Sequence, residues 1–341
     1  MSPLHPLPNL VVHADWGSDS KKRWMARAVL EDGAYTALPP DLVGPPTSLV
    51  ARLRHAAGSG GRVFVGFDFP IGLPTFYARR AGVSDFPRFL LQAGIGEWAD
   101  FYSVAARAED VSLRRPFYPM GSRVKGDVNR QHLIDGIGAD SLHDLLRGCE
   151  RRTEQRGDAS PLFWTLGGKQ VGKAAIIGWR DVLAPALLAL SDSVALWPFH
   201  GSLPDLLERV GVVVAETYPA EFYNHLGVRF PPSRRGEKSG KRTQRDRRAN
   251  KDALKGQASN LRVTLDSGML ARIDEGFGPK QDGEDPFDAV VGLLGMLNVL
   301  LGGRAVDESR WPEEVRKIEG WILGQMYDPR TAVISPPPPQ P

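Results

Sequence analysis

The sequence predicts an α/β fold, and three observations carry that reading. Two nearly continuous apolar runs, residues 62–69 (R-V-F-V-G-F-D-F) and 212–216 (V-V-V-A-E), have the pattern of strands buried on both faces of a parallel sheet. Residues 10–16 (L-V-V-H-A-D-W) and 24–30 form two further β-rich runs separated by a hairpin-length gap. The long apolar stretch opening at Asp285-Pro286-Phe287-Asp288 and ending near Leu301 reads as a buried helix.

In order along the chain, the 10–16 run ends at Asp15, before Gly17 and Ser18, and residues 35–38 form a weaker third strand. A helix follows Pro45-Pro46, with Thr47 expected as its N-cap and Leu49, Val50, Leu53 and Ala57 at helical spacing; Gly58 to Gly61 close it. The 62–69 strand ends at Asp68 and is stopped by Pro70. Residues 73–204 read as a long, mostly helical stretch, with helices expected at 86–91, 97–107, 141–153 and 178–191, and a short helix at 206–210 precedes the 212–216 strand. The Pro-rich 331–341 tail is expected to be disordered. The expectation is one domain over 10–325.

Composition narrows the class. Of 341 residues, 42% are hydrophobic and 24% charged, as in ordinary globular proteins. The net charge of +3 does not make the whole chain a basic nucleic-acid binder. A single cysteine, Cys149, allows neither an intrachain disulfide nor a cysteine zinc site. Residues 1–10 lack a signal-peptide pattern, and the longest uncharged apolar run, 289–303, is short for a membrane span. The expected location is cytoplasmic, with no membrane partner.

Three strand-like runs end in a carboxylate: Asp15, Asp68 and Glu216. Sites in α/β folds form outside the carboxyl ends of parallel strands. Asp285 and Asp288, three apart, share one face of a helix start, where acids complement the dipole. Any one of these acids alone is as well explained as a turn former, and Asp285 as an N-cap. Together they repel and need a counter-charge, for which hard divalent cations such as Mg²⁺ or Mn²⁺ are suited. Asp19 and Asp41 read as loop acids.

The segments H-A-D-W-G-S (13–18), G-F-D-F-P-I-G-L-P (66–74), A-E-T-Y-P-A-E-F-Y (215–223) and D-P-F-D-A-V-V-G-L-L (285–294) carry a resemblance. The chain resembles the RNase H-like superfamily and, more closely, the domain of unknown function 429 family, described as predicted RNase H-fold nucleases. Residues 163–179 (F-W-T-L-G-G-K-Q-V-G-K-A-A-I-I-G-W) resemble larger bacterial members. The resemblance implies a five-stranded mixed sheet flanked by helices, its first, fourth and fifth strands parallel and adjacent, with the 73–204 insertion between the fourth and fifth. It implies metal ligation by Asp15, Asp68 and Asp288, with Asp285 and Glu216 as further catalytic candidates. Glu216 departs from the simplest RNase H pattern, as a supporting or alternative ligand.

Residues 229–255 hold eleven Lys/Arg against three acids. Such a basic segment, within 229–260, suits a phosphate backbone or is a solvated loop. Arg245, Arg247, Arg248, Lys169 and Lys173 are the candidate nucleic-acid contacts. Trp98, Phe101, Phe163, Trp164 and Trp179 are expected to pack in the core, with base stacking the alternative. The function these features point to is a metal-dependent nuclease or phosphodiesterase acting on DNA or RNA. The alternatives are a nucleotide-binding protein of the actin and sugar-kinase type, whose phosphate hairpin Asp15-Trp16-Gly17-Ser18 resembles, and a non-catalytic RNase H-like binding module. Oligomeric state is left open.

Overall fold

The computed structural model describes residues 6–121, 128–153, 157–167, 170–209, 211–232, 239–279 and 282–329. Its strands are β1 (Leu10–Asp15), β2 (Trp24–Glu31), β3 (Ala34–Leu42), β4 (Val63–Phe67), β5 (Val194–Leu196), β6 (Val212–Glu216) and β7 (Thr264–Leu265). They form one mixed sheet in the order β5-β6-β4-β1-β2-β3-β7. β1 pairs antiparallel with β2, and β2 with β3. β1, β4, β6 and β5 run parallel side by side.

Among the described residues the sheet therefore has seven strands where five were expected. The additions are β5, three residues long, and β7, two residues long. Runs that short show no alternation to read. β3 also extends through Pro39 and Pro40, past the expected 35–38. The two prolines lie opposite the register shift between Met25 and Arg27 of β2, where the ladder is interrupted, and β7 meets β3 only at Thr36 and Ala37.

Side chains alternate across the central strands and divide the interior into two cores. Val12, Ala14, Val65, Phe67, Val212 and Val214 face one way. Residues of the 73–204 stretch cover them, including Tyr77, Phe86, Phe101 and Trp179. Val11, Phe64, Val213 and Ala215 face the other way, against the Glu284–Leu300 helix. That helix is buried continuously from Pro286 to Leu300 because the sheet lies on one side and the Pro219–His225 and Lys251–Asn260 helices on the other. It lies close to β1 because residue 292 is glycine: a Cβ there would fall 2.2 Å from ring atoms of His13.

The 73–204 stretch is less helical than expected. Residues 97–107 form only a single 3-10 turn, Gly96–Trp98, and then irregular turns. Gly94 and Gly96 take positive φ there, and Trp98 and Phe101 fold back onto Phe89. Residues 141–153 are two short 3-10 turns, held by ion pairs described below. The first α-helix starts after Ser48, one residue beyond the expected cap Thr47. The short helix before β6 spans Leu203–Arg209. The 331–341 tail lies outside the described residues.

The aromatic residues of the insertion are core, with Trp98, Phe101, Phe163, Trp164 and Trp179 all buried. Among the described residues, no helix is long and apolar enough to cross a membrane.

Candidate functional site

Asp15 closes β1 on the same face as Val11 and His13, toward the long helix. Asp68 follows β4 on the same face as Phe64, its N–H donating to the Ala14 carbonyl at 3.1 Å. Strand period thus puts both carboxylates on one side of the sheet at the ends of adjacent parallel strands. Asp288, on the first turns of the long helix, meets them there.

These acids interact strongly. Burial first, then Asp288 and Asp68, raise the Asp15 carboxyl well above its ordinary range. Asp68 is pushed up to about 7 by burial and by Asp288, with Lys241 opposing. The neighbouring Asp15 side chain offsets only a little of the rise at Asp68, which burial dominates. Asp285, partly exposed at the rim, rises to about 6 through burial, Glu284 and Asp288.

The cation in this cluster is a side chain. The Lys241 ammonium pairs with Asp288 Oδ2 and lies 3.2 Å from Glu284 Oε1. Burial disfavours its charge, but Asp288 and then Asp15 outweigh that and hold its pKa above the ordinary lysine value. The Tyr223 hydroxyl donates to Asp288 Oδ1 at 2.5 Å. Both Asp288 oxygens therefore accept from a side-chain donor. Arg23 shapes the turn after Asp15, donating from Nε to the Gly17 carbonyl at 2.7 Å and from Nη2 to the Ser18 carbonyl at 3.0 Å.

The turn carrying Lys241 is anchored by its neighbours. The Gly240 N–H donates to Asp246 Oδ2 at 2.9 Å, and Thr243 caps the Gln244–Ala249 helix. Arg247 donates to the carbonyls of Lys241, Gly276 and Gly278. Arg247 is fully buried and is a strut of the turn, which corrects its expected role as a phosphate contact. Arg245 and Arg248 are exposed on the same helix. Lys173 is half-buried on the Val171–Gly178 helix, and Lys169 lies outside the described residues.

Glu216 stands apart from the aspartates. It is in register with Phe67, so its side chain points to the opposite face of the sheet. There it accepts two hydrogen bonds of 2.6 Å from Arg147 and one of 2.6 Å from the Ile71 N–H. Arg147 also binds Glu150, and the Glu319 carboxylate accepts from the Gly148 N–H. This buried network fastens the 147–150 turns of the insertion to the end of β6. On the aspartate face, the strand neighbour of Asp68 is Thr217, whose N–H donates to the Phe67 carbonyl at 2.9 Å.

Among the described residues, no group of three or more His, Cys, Asp or Glu side chains is arranged as a metal-holding shell. The donors that interact here are all hard carboxylate oxygens, and two of the acids, Asp288 and Glu284, pair with an ammonium. That donor chemistry fits a hard cation such as Mg²⁺ or Mn²⁺, with Asp15, Asp68 and Asp288 as the residues to hold it. Sequence reasoning missed Lys241, Tyr223 and Arg147. Tyr223 closes one of the quoted motifs, Lys241 was one basic residue among eleven, and nothing local marks Arg147. Compared with protein-family models, curated proteins and solved structures, the chain matches none.

Proposed function

We propose that the chain is a metal-dependent nuclease or phosphodiesterase of the RNase H-like type, within or near the domain of unknown function 429 family. The observation that carries the reading is the placement of Asp15, Asp68 and Asp288, from two adjacent parallel strand ends and a helix start, in one mutually interacting cluster in which the Lys241 ammonium pairs with Asp288. The strand order β3-β2-β1-β4-β6, with β1, β4 and β6 parallel, supports the fold part of it.

In this reading Asp15, Asp68 and Asp288 hold Mg²⁺ or Mn²⁺, which when bound activates water and stabilises the leaving oxygen of a phosphodiester. Asp15 and Asp68, whose carboxyls are raised by burial, lose their protons when the ion binds. Asp285 at the rim orients groups entering the site. Tyr223 fixes the Asp288 carboxylate through Oδ1. Glu216 acts through Arg147, holding the insertion against the sheet. Exposed Arg245 and Arg248 offer charge to the nucleic-acid backbone.

Cleavage of labelled DNA, RNA and DNA–RNA hybrid, with Mg²⁺ or Mn²⁺ and with EDTA, tests the proposal. Ion-dependent cleavage that falls by about 100-fold or more in Asp15→Asn, Asp68→Asn and Asp288→Asn is expected. Cleavage equal in all three variants and wild type would sink it.

A further inference from the structure

Asp288 is the acid whose two oxygens are both already engaged, one by Tyr223 and the other by Lys241. A divalent ion brought to Oδ2 would meet the ammonium at that same oxygen, and two cations that close repel strongly in a partly desolvated site. Lys241 and a divalent ion are therefore competitors. Resting on the carboxylate-site reading above, we propose that Lys241 is the resident counter-ion of this site, and that a divalent cation engages Asp288 by driving the Lys241 ammonium over to Glu284.

The surroundings fit such a transfer. Glu284 is already 3.2 Å from the ammonium and sits one helical turn before Asp288 at the partly exposed start of the helix. The ammonium keeps an acid partner as it leaves. The backbone that carries it does not have to move. Gly240 is tied to Asp246 and the Lys241 carbonyl to Arg247. Only the flexible four-carbon stem swings, and the side chain is already 37% exposed, so its path leads to solvent. The displaced ammonium then stands at the rim of the site, in the same segment of chain as exposed Arg242 and Arg245. In the resting protein the same lysine supplies the positive charge paired with Asp288.

Two measurements on the full chain test this. In the first, wild-type protein is acylated with an amine-reactive ester, with and without saturating Mn²⁺, and each lysine is followed by mass spectrometry. Lys255, paired with Asp274 at 2.7 Å, is the internal reference. The Lys241 rate should rise about fivefold or more relative to Lys255 when Mn²⁺ is added, as its strongest partner is taken. In the second, Mn²⁺ binding is titrated calorimetrically for wild type and Lys241→Met. The variant should bind about tenfold tighter or better, since no ammonium competes. Mn²⁺ that binds wild type and variant equally, with Lys241 labelling unchanged, overturns the displacement and leaves the carboxylate site standing. Weaker binding by Lys241→Met overturns it as well. If neither protein binds Mn²⁺, the carboxylate-site reading itself falls, and the displacement with it. The labelling arm needs no substitution, so a variant that fails to fold does not blunt the test.

Discussion

Asp68 and Asp288 lie in one cluster yet should respond oppositely to loss of charge. Asp68 has its folded value raised from 3.8 to about 7. The folded protein therefore binds that proton more tightly than the unfolded chain does. Its contribution to stability is complete below about 3.8 and is lost as pH rises to about 7. In EDTA, Asp68→Asn should match wild type near the acid end of that window. By its upper end the variant should melt roughly 3–8 °C higher. A difference in melting temperature that does not change with pH would contradict the raised Asp68 value. Asp288→Asn is expected to go the other way. It removes the charged acceptor of Tyr223 and the ion partner of Lys241. The cost should be about 1–3 kcal/mol in denaturant unfolding of the metal-free protein. Repulsion among the acids alone would have raised the stability of both variants, and it is Lys241 that separates them.

At the scale of elements, the site depends on how closely the long helix lies on β1. Gly292→Ala places a methyl 2.2 Å from the His13 ring, and a buried ring in a packed core has little room to give. A loss of about 1–3 kcal/mol is expected. Gly256→Ala is the control: it lies in the Lys251–Asn260 helix with nothing near its Cβ, and should gain about 0.4–1 kcal/mol. Equal effects at the two glycines would refute the close approach. Arg147→Met leaves Glu150 and Glu216 buried without their cation, and should cost about 3–5 kcal/mol. The same elements show what could be read from the chain. β1, β4, β6 and the long helix were legible because each is a sustained apolar run with one period. Asp15 and Asp68 were legible as strand ends. That Glu216 faces away was not, because facing depends on pairing register, and one residue of offset reverses it. Lys241 was hidden because a basic run does not say which of its charges turns inward.

At the scale of the whole molecule, charge is segregated. The 229–255 segment is strongly basic, and in the folded chain it supplies one lysine to the acid cluster, one buried arginine to its own support, and exposed arginines to the surface. A test of surface charge must therefore spare Arg247, whose loss would unseat the Lys241 turn. Replacing Arg242, Arg245 and Arg248 together with Ala should leave the melting temperature within about 2 °C of wild type. If nucleic acid binds through this surface, the slope of log K against log salt should flatten by about 2–3. An unchanged slope would make these arginines bystanders. The claim on which site, function and lysine displacement all rest is that Asp15, Asp68 and Asp288 share a divalent ion. A crystal structure of the protein with Mn²⁺, its ion located by anomalous scattering, tests this directly. The expected result is a manganese peak bounded by those three carboxylates, with the Lys241 ammonium moved off Asp288. Crystals saturated with Mn²⁺ that show no peak there, and Lys241 still paired with Asp288, would contradict it.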